Sequence, residues 1–144
     1  MSFAYPNADA GDSAPIKQLW WPDIHVDDAR GIVRITGTVT PERLREALVN
    51  AVWSVNRELT AWQKAQPATS PNGLQDERLI GLYRRAVYFY AKAELAERYR
   101  DYDLTGAGKQ KAEDMDSIAD DARRNLRWAI SDFLGVPRVT VEAL

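Results

Sequence analysis

The chain has no cysteine and only one histidine, His25. Disulfide staples, thiolate nucleophiles and multi-histidine metal centres are thereby excluded. Its longest apolar runs fall far short of the ~20 residues that a membrane-spanning helix needs. The first dozen residues are small, polar and acidic, unlike a basic-then-apolar secretory signal. A cytoplasmic protein without membrane contact is therefore expected. Neither sign of charge dominates, since 19 Lys and Arg stand against 21 Asp and Glu. No global field recruits nucleic acid, and any DNA contact has to be local. A phosphate-binding loop is also missing, because Gly106-Ala107-Gly108-Lys109 lacks the glycine spacing and the preceding strand. His25 lies near Asp23 and Asp27, but no Ser or Lys sits in a nucleophile motif beside such an acid/base pair. The expectation is a protein that is not an enzyme and uses no cofactor or metal.

What is present is enough for one domain with a real core: 144 residues, 45% of them hydrophobic. Residues 1–18, rich in Ala, Asp, Ser, Pro and Gly, read as an extended leader. Leu19-Trp20-Trp21-Pro22 then concentrates three large apolar groups before a proline. They either plug a groove on a neighbour or cover the end of the chain's own bundle. Residues 23–31 hold one or two helical turns, with Asp23 or Asp27 as cap. Ile32-Val33-Arg34-Ile35-Thr36, flanked by Gly31 and Gly37, reads equally well as a short strand, since β-branched residues favour a pleated backbone.

Three long helices come next. Thr40 caps the first, Pro41 suits its first position, and Glu42 meets the positive end of its dipole. Leu44, Ala47, Leu48, Ala51, Val52, Val55, Leu59 and Trp62 then mark one face up to about Ala65. A Pro- and Gly-rich loop over 67–73 separates it from the second, which runs from about Asp76 to Asp103 with Leu79, Leu82, Tyr83, Ala86, Phe89, Tyr90, Ala93 and Ala96 inward. The third runs from about Lys109 to Leu134 and turns Ala112, Met115, Ile118 or Ala119, Ala122, Leu126, Ala129, Ile130 and Phe133 inward; Gly135 ends it. Helices of about 25 residues are roughly 38 Å long. The spacing therefore predicts a mainly α fold: an elongated antiparallel bundle over 19–134, a short N-terminal helix or turn, and extended arms at both ends.

After Gly135-Val136-Pro137-Arg138, Val139, Val141 and Leu144 place apolar groups at a terminus, where chains are usually polar. Residues 135–144 thus read as a docking arm. Trp53, Trp62, Tyr88 and Trp128 exceed what one three-helix core readily encloses, so some belong to contacts between subunits, and Trp20, Trp21, Trp53, Tyr88 and Trp128 are the residues expected at intersubunit or neck contacts. Glu113, Asp116 and Asp120 share a face of the third helix. That face is solvated, or it lines a channel whose negative wall keeps DNA from sticking. The alternative is a helical DNA-binding module using the basic helix 76–103, where Arg84, Arg85, Lys92, Arg98 and Arg100 interleave with tyrosines.

The chain resembles one known family, the GPL-type head-completion or head-stabilisation proteins of contractile-tailed temperate phages. The resemblance covers residues 19–144. It rests on Trp21-Pro22-Asp23-Ile24, Arg43-Leu44-Arg45-Glu46-Ala47, Glu58-Leu59, Arg85-Ala86-Val87 and Glu97-Arg98-Tyr99-Arg100, then Asp116-Ser117, Arg127-Trp128-Ala129 and Gly135-x-Pro137-Arg138, in that order and spacing. Residues 27–41 depart from the family pattern in carrying more glycine and β-branched residues. The resemblance implies a connector at the head-tail neck of a virion, made in the host cytoplasm. Such a protein binds the phage portal after packaging, completes the head and receives the next neck or tail-terminator protein. It implies a ring of twelve neighbouring copies, with DNA passing through unread. In that setting Pro137, Arg138, Val139, Val141 and Leu144 become portal-docking residues.

Overall fold

The computed structural model describes residues 14–36, 38–67, 73–100 and 106–138. Five helices make up the fold: α1 (Val26–Ile32), α2 (Pro41–Glu58), α3 (Thr60–Lys64), α4 (Glu77–Arg100) and α5 (Gly106–Leu134). Among the described residues there is no strand, only one antiparallel bridge between Ile16 and Ile24. The chain is mainly α, as its periodicity predicts.

α1 settles the 27–40 region. It starts at His25 without a side-chain cap, so neither Asp23 nor Asp27 caps it; Asp27 and Asp28 sit in its first turn, where the dipole favours them. Ile32-Val33-Arg34-Ile35-Thr36 is not a strand. Ile32 closes α1, Arg34 takes a left-handed backbone with φ 58°, and Ile35 and Val39 turn into the core. Arg30 holds this turn by donating from its two terminal nitrogens to the carbonyls of Thr36, at 2.7 Å, and Val39, at 2.9 Å. The loop's backbone acceptors find a fork on α1 in place of a pairing strand.

α2 begins as the sequence indicates. The Thr40 hydroxyl oxygen accepts from the Arg43 backbone N–H at 3.3 Å, and Pro41 opens the first turn. Its buried face is Leu44, Ala47, Leu48, Ala51, Val52 and Val55. The expected single helix to Ala65 is interrupted at Leu59. There the Thr60 hydroxyl donates to the Asn56 carbonyl at 2.9 Å, a back-bond that bends helices. α3 continues beyond the bend and carries Trp62 against the core.

Asp76 caps α4 by accepting from the Arg78 and Leu79 backbone N–H groups at 2.9 and 3.2 Å. α4 is the central helix, packed chiefly on α5 and also on α2. It buries Val87, Tyr88, Ala91 and Leu95 in addition to the Tyr83, Ala86, Ala93 and Ala96 of the expected stripe. Cross-links order the elements. Glu46 pairs with Arg98, Asn50 with Glu94 and Ser54 with Tyr90, in reverse order along α2 and α4. α5 buries Ala119, Ala122, Leu126, Ala129, Ile130 and Phe133. Gly135, at φ 72°, ends it in the left-handed conformation that suits glycine, with the Val136 N–H returning to the Ser131 carbonyl at 3.0 Å.

Candidate interaction surface

The segment before α1 folds back along α2 and is held by side-chain amides. The Tyr83 hydroxyl donates to Asn56 Oδ1, Asn56 Nδ2 donates to Gln18 Oε1 at 2.8 Å, and Gln18 Nε2 donates to the Tyr83 oxygen at 2.9 Å. This closed ring of bonds satisfies a buried phenol. Burial pushes the Tyr83 hydroxyl well above the ordinary phenol range, partly opposed by its bonds to Gln18 and Asn56. The Trp21 ring stacks on Tyr83 at 4.7 Å and 10°. Trp62 meets Phe133 edge-on at 4.6 Å, and Trp20 meets Trp21 edge-on at 4.8 Å.

Two of the five aromatic residues expected between subunits are spent inside the chain. Trp21, stacked on Tyr83, is 6% exposed and Tyr88 1%. Their side chains offer no surface to a neighbour. Trp20 is half-buried against the core. Trp53 is the opposite case, standing 70% exposed on α2, and Leu19 is fully exposed across from it. Between them runs an open groove of about 480 Å³, with Ile16, Trp20, Val49 and Val52 along its walls. Leu19 belongs to this surface though no site role attaches to it in the sequence; the signal was the Leu-Trp-Trp-Pro cluster itself.

A second apolar area lies at the C-terminal end of α5, where Leu134 and Val136 are exposed. Trp128 is half-buried with the guanidinium of Arg138 4.6 Å and that of Arg124 5.3 Å from its ring centroid. Arg138 also makes a two-point bond to Asp132, Nε to Oδ1 at 3.2 Å and Nη2 to Oδ2 at 2.8 Å. That guanidinium holds the Asp132 carboxyl below the usual carboxylate range. Pro137 and Arg138 are exposed, whereas Val139, Val141 and Leu144 lie outside the described residues.

The acidic face divides. Glu113 and Asp120 are exposed and Asp116 is half-buried, all on α5. Among the described residues no group of three or more His, Cys, Asp or Glu is placed to hold a metal ion, and no helix is long and apolar enough to cross a membrane. Among the described residues the basic-aromatic pattern of α4 does not form a stacking platform, and the Arg100 side chain lies outside them. Tyr83 and Tyr88 are buried, Arg84 donates to the Asp23 carbonyl at 3.1 Å, and Arg98 pairs with Glu46 and Glu94. Arg127 of α5 grips Glu58 of α2 with two bonds of 2.9 and 2.8 Å, which ties the two helices on the surface.

The helices leave bulky apolar groups exposed beside a groove and past the end of α5, the kind of surface through which chains contact one another. This chain belongs to the phage head completion protein (GPL) family, whose family model it matches over residues 16–144. It is 35% identical to the "Head completion/stabilization protein" of Escherichia phage P2, over 94% of this chain and 86% of that protein. No solved structure matches the chain.

Proposed function

We propose that the chain is a structural, non-catalytic component of a phage virion that completes and stabilises the filled head. In this reading the helices form an elongated antiparallel bundle at the head-tail neck. Several copies, twelve in a full ring, gather on the portal after packaging and receive the next neck or tail-terminator protein. Pro137, Arg138, Val139, Val141 and Leu144 dock on the portal. Leu19, Trp20, Trp53 and Trp128 meet neighbouring copies, and Glu113, Asp116 and Asp120 give DNA in the channel a repelling wall.

The observation that carries this reading is the match to the head completion family across residues 16–144. The exposed Leu19 and Trp53 support it, since a lone soluble domain gains nothing by holding large apolar side chains in water. An extended arm with alternating apolar residues suits a groove in which backbone bonds give affinity and alternate side chains give register. Repetition around a ring multiplies modest contacts into firm attachment.

The test is to mix the full chain with the portal of its phage and measure the mass and symmetry of the complex. A ring of several copies on the portal is expected. A chain lacking residues 138–144 should remain helical and fail to be pulled down. Equal capture of the truncated chain removes the arm from docking, and failure of the full chain to join any portal overturns the assignment.

A further inference from the structure

The cations of α4 fall into two sets. Arg84 and Arg98 are spent in bonds to Asp23, Glu46 and Glu94. Arg78, Arg85 and Lys92 recur every seven residues, so they share one face in a line about 21 Å long. Among the described residues no hydrogen bond or ion pair reaches any of these three side chains. The nearest carboxylates are already engaged. Asp132, in electrostatic range of Arg78 and Arg85, is bonded at two points to Arg138. Asp121, in range of Lys92, is bonded to Arg124 at 3.0 Å. Burial and the neighbouring Arg34 hold the Lys92 ammonium below its usual range, so that end of the line is short of negative charge.

The rest of the face is apolar or bare. Leu82 and Phe89, both half-buried, alternate with the three cations at three- and four-residue spacing. Gly81 lies one turn from Arg78 and from Arg85 and is exposed. Glycine weakens a helix interior, yet among the described residues a Cβ at Gly81 would meet nothing within 4 Å. Packing within the chain gives no reason for a missing side chain there. Close approach of another backbone does. Cations seven residues apart, apolar groups between them and a glycine together make one side of a seam between helices, whose other side carries carboxylates at the same spacing. A duplex suits the face less well. Phosphates gain nothing from Leu82 and Phe89, Asp121 and Asp132 repel them, and α4, packed on both α2 and α5, cannot enter a groove.

We propose that this face of α4 docks an acidic helix of the portal protein, whose carboxylates meet Arg78, Arg85 and Lys92 and whose backbone passes over Gly81. The docking rests on the portal-joining role proposed above and adds a surface to it. Through Asp132 the line is continuous with Arg138, one of the portal-docking residues. The chain's own exposed carboxylates at this spacing, Glu113 and Asp120, are those given above to the channel, which favours the portal over a second copy as the acidic partner.

The test compares three full-length chains, the parent, Arg78→Glu with Arg85→Glu, and Gly81→Gln, for the concentration of portal needed to capture half of each. Both variants should keep the parent's circular dichroism, and neither should lower the urea midpoint, since these side chains have no partner to lose. Each should need at least about tenfold more portal, the first by charge repulsion and the second by bulk alone. Capture of both variants like the parent overturns this docking and leaves the virion assignment standing, whereas failure of the parent itself to be captured overturns both. A loss confined to the arginine variant overturns the close approach at Gly81. Parent-like affinity with fewer copies per portal complex would give the face to a neighbouring copy and overturn the portal as occupant. Salt-sensitive binding of the parent to a short DNA duplex, lost in the arginine variant while portal capture is kept, would assign the face to nucleic acid and overturn it as well.

Discussion

The guanidinium of Arg138 lies over the indole of Trp128 and is bonded at two points to Asp132, so residues 135–138 are held against the end of α5. Asp132 has a depressed carboxyl pKa because of Arg138. The bond's contribution is therefore complete above the ordinary carboxylate pKa and is lost as pH falls through the lowered folded value. The indole N–H signal of Trp128 in an NMR pH titration should stay constant at neutral pH and shift only in acid. Asp132→Asn should abolish that acid shift, leave the helices intact and weaken capture by the portal. Unchanged Trp128 behaviour in Asp132→Asn removes the clamp.

Two buried tyrosines on α4 should respond oppositely to loss of a hydroxyl. Tyr83 sits in the ring of bonds with Gln18 and Asn56. Tyr83→Phe leaves both amides short of a partner and should cost roughly 1–3 kcal/mol in urea unfolding. The Tyr88 hydroxyl is buried near the His25 backbone and has no partner in hydrogen-bond geometry among the described residues. Tyr88→Phe should be neutral or stabilising, by up to about 1 kcal/mol. The raised Tyr83 pKa adds a sign test. Its stabilisation is present below the ordinary phenol value of about 10 and fades as pH rises beyond it. Alkaline destabilisation should therefore be shallower in Tyr83→Phe than in the parent.

These contrasts show where the sequence stops being legible. α2 could be read from Thr40-Pro41 and a one-sided stripe, because its outer face stays in water. α4 could be read only in part. It is packed on both α2 and α5, so Val87, Tyr88, Ala91 and Leu95 are buried outside any single stripe. The break at Leu59 comes from a hydroxyl-to-carbonyl bond one turn back, which any helical threonine could make. The surplus of aromatics was visible, but its division was not. Trp21 is internal and Trp53 external because residues 14–24 fold back through Gln18, and no local pattern announces that return. The role of Arg30 as a fork for two loop carbonyls likewise depends on a turn with no sequence signature.

Trp21 and Trp53 accordingly separate folding from assembly. Trp21→Ala removes a ring stacked on Tyr83 in a closed core and should cost about 3–5 kcal/mol. Trp53→Ala should change stability by no more than about 0.5 kcal/mol, as surface substitutions generally do. It should nevertheless lower the number of copies recovered per portal complex by mass measurement. If Trp53→Ala assembles like the parent, the groove beside Leu19 is not a subunit contact.

Ala91 sets how closely α4 meets its neighbours. It is fully buried, lies on the helix that contacts both α2 and α5, and has the equally buried Ala93 two residues further on. A methyl group at these positions lets the helix axes approach, and the surface ties at Glu58–Arg127 and Glu97–Arg123 are made at that spacing. Ala91→Leu inserts three carbons where no space exists and should cost about 1–3 kcal/mol through forced rotamers and helix displacement. The exposed ion pairs should add little to that loss, since such pairs are worth at most about 1 kcal/mol each. Adding Arg127→Ala to Ala91→Leu should therefore lower the urea midpoint by less than the sum of the two single changes, because the displaced helices have already opened the Glu58 bond. Strict additivity would mean that α5 keeps its distance from α2 whatever fills position 91.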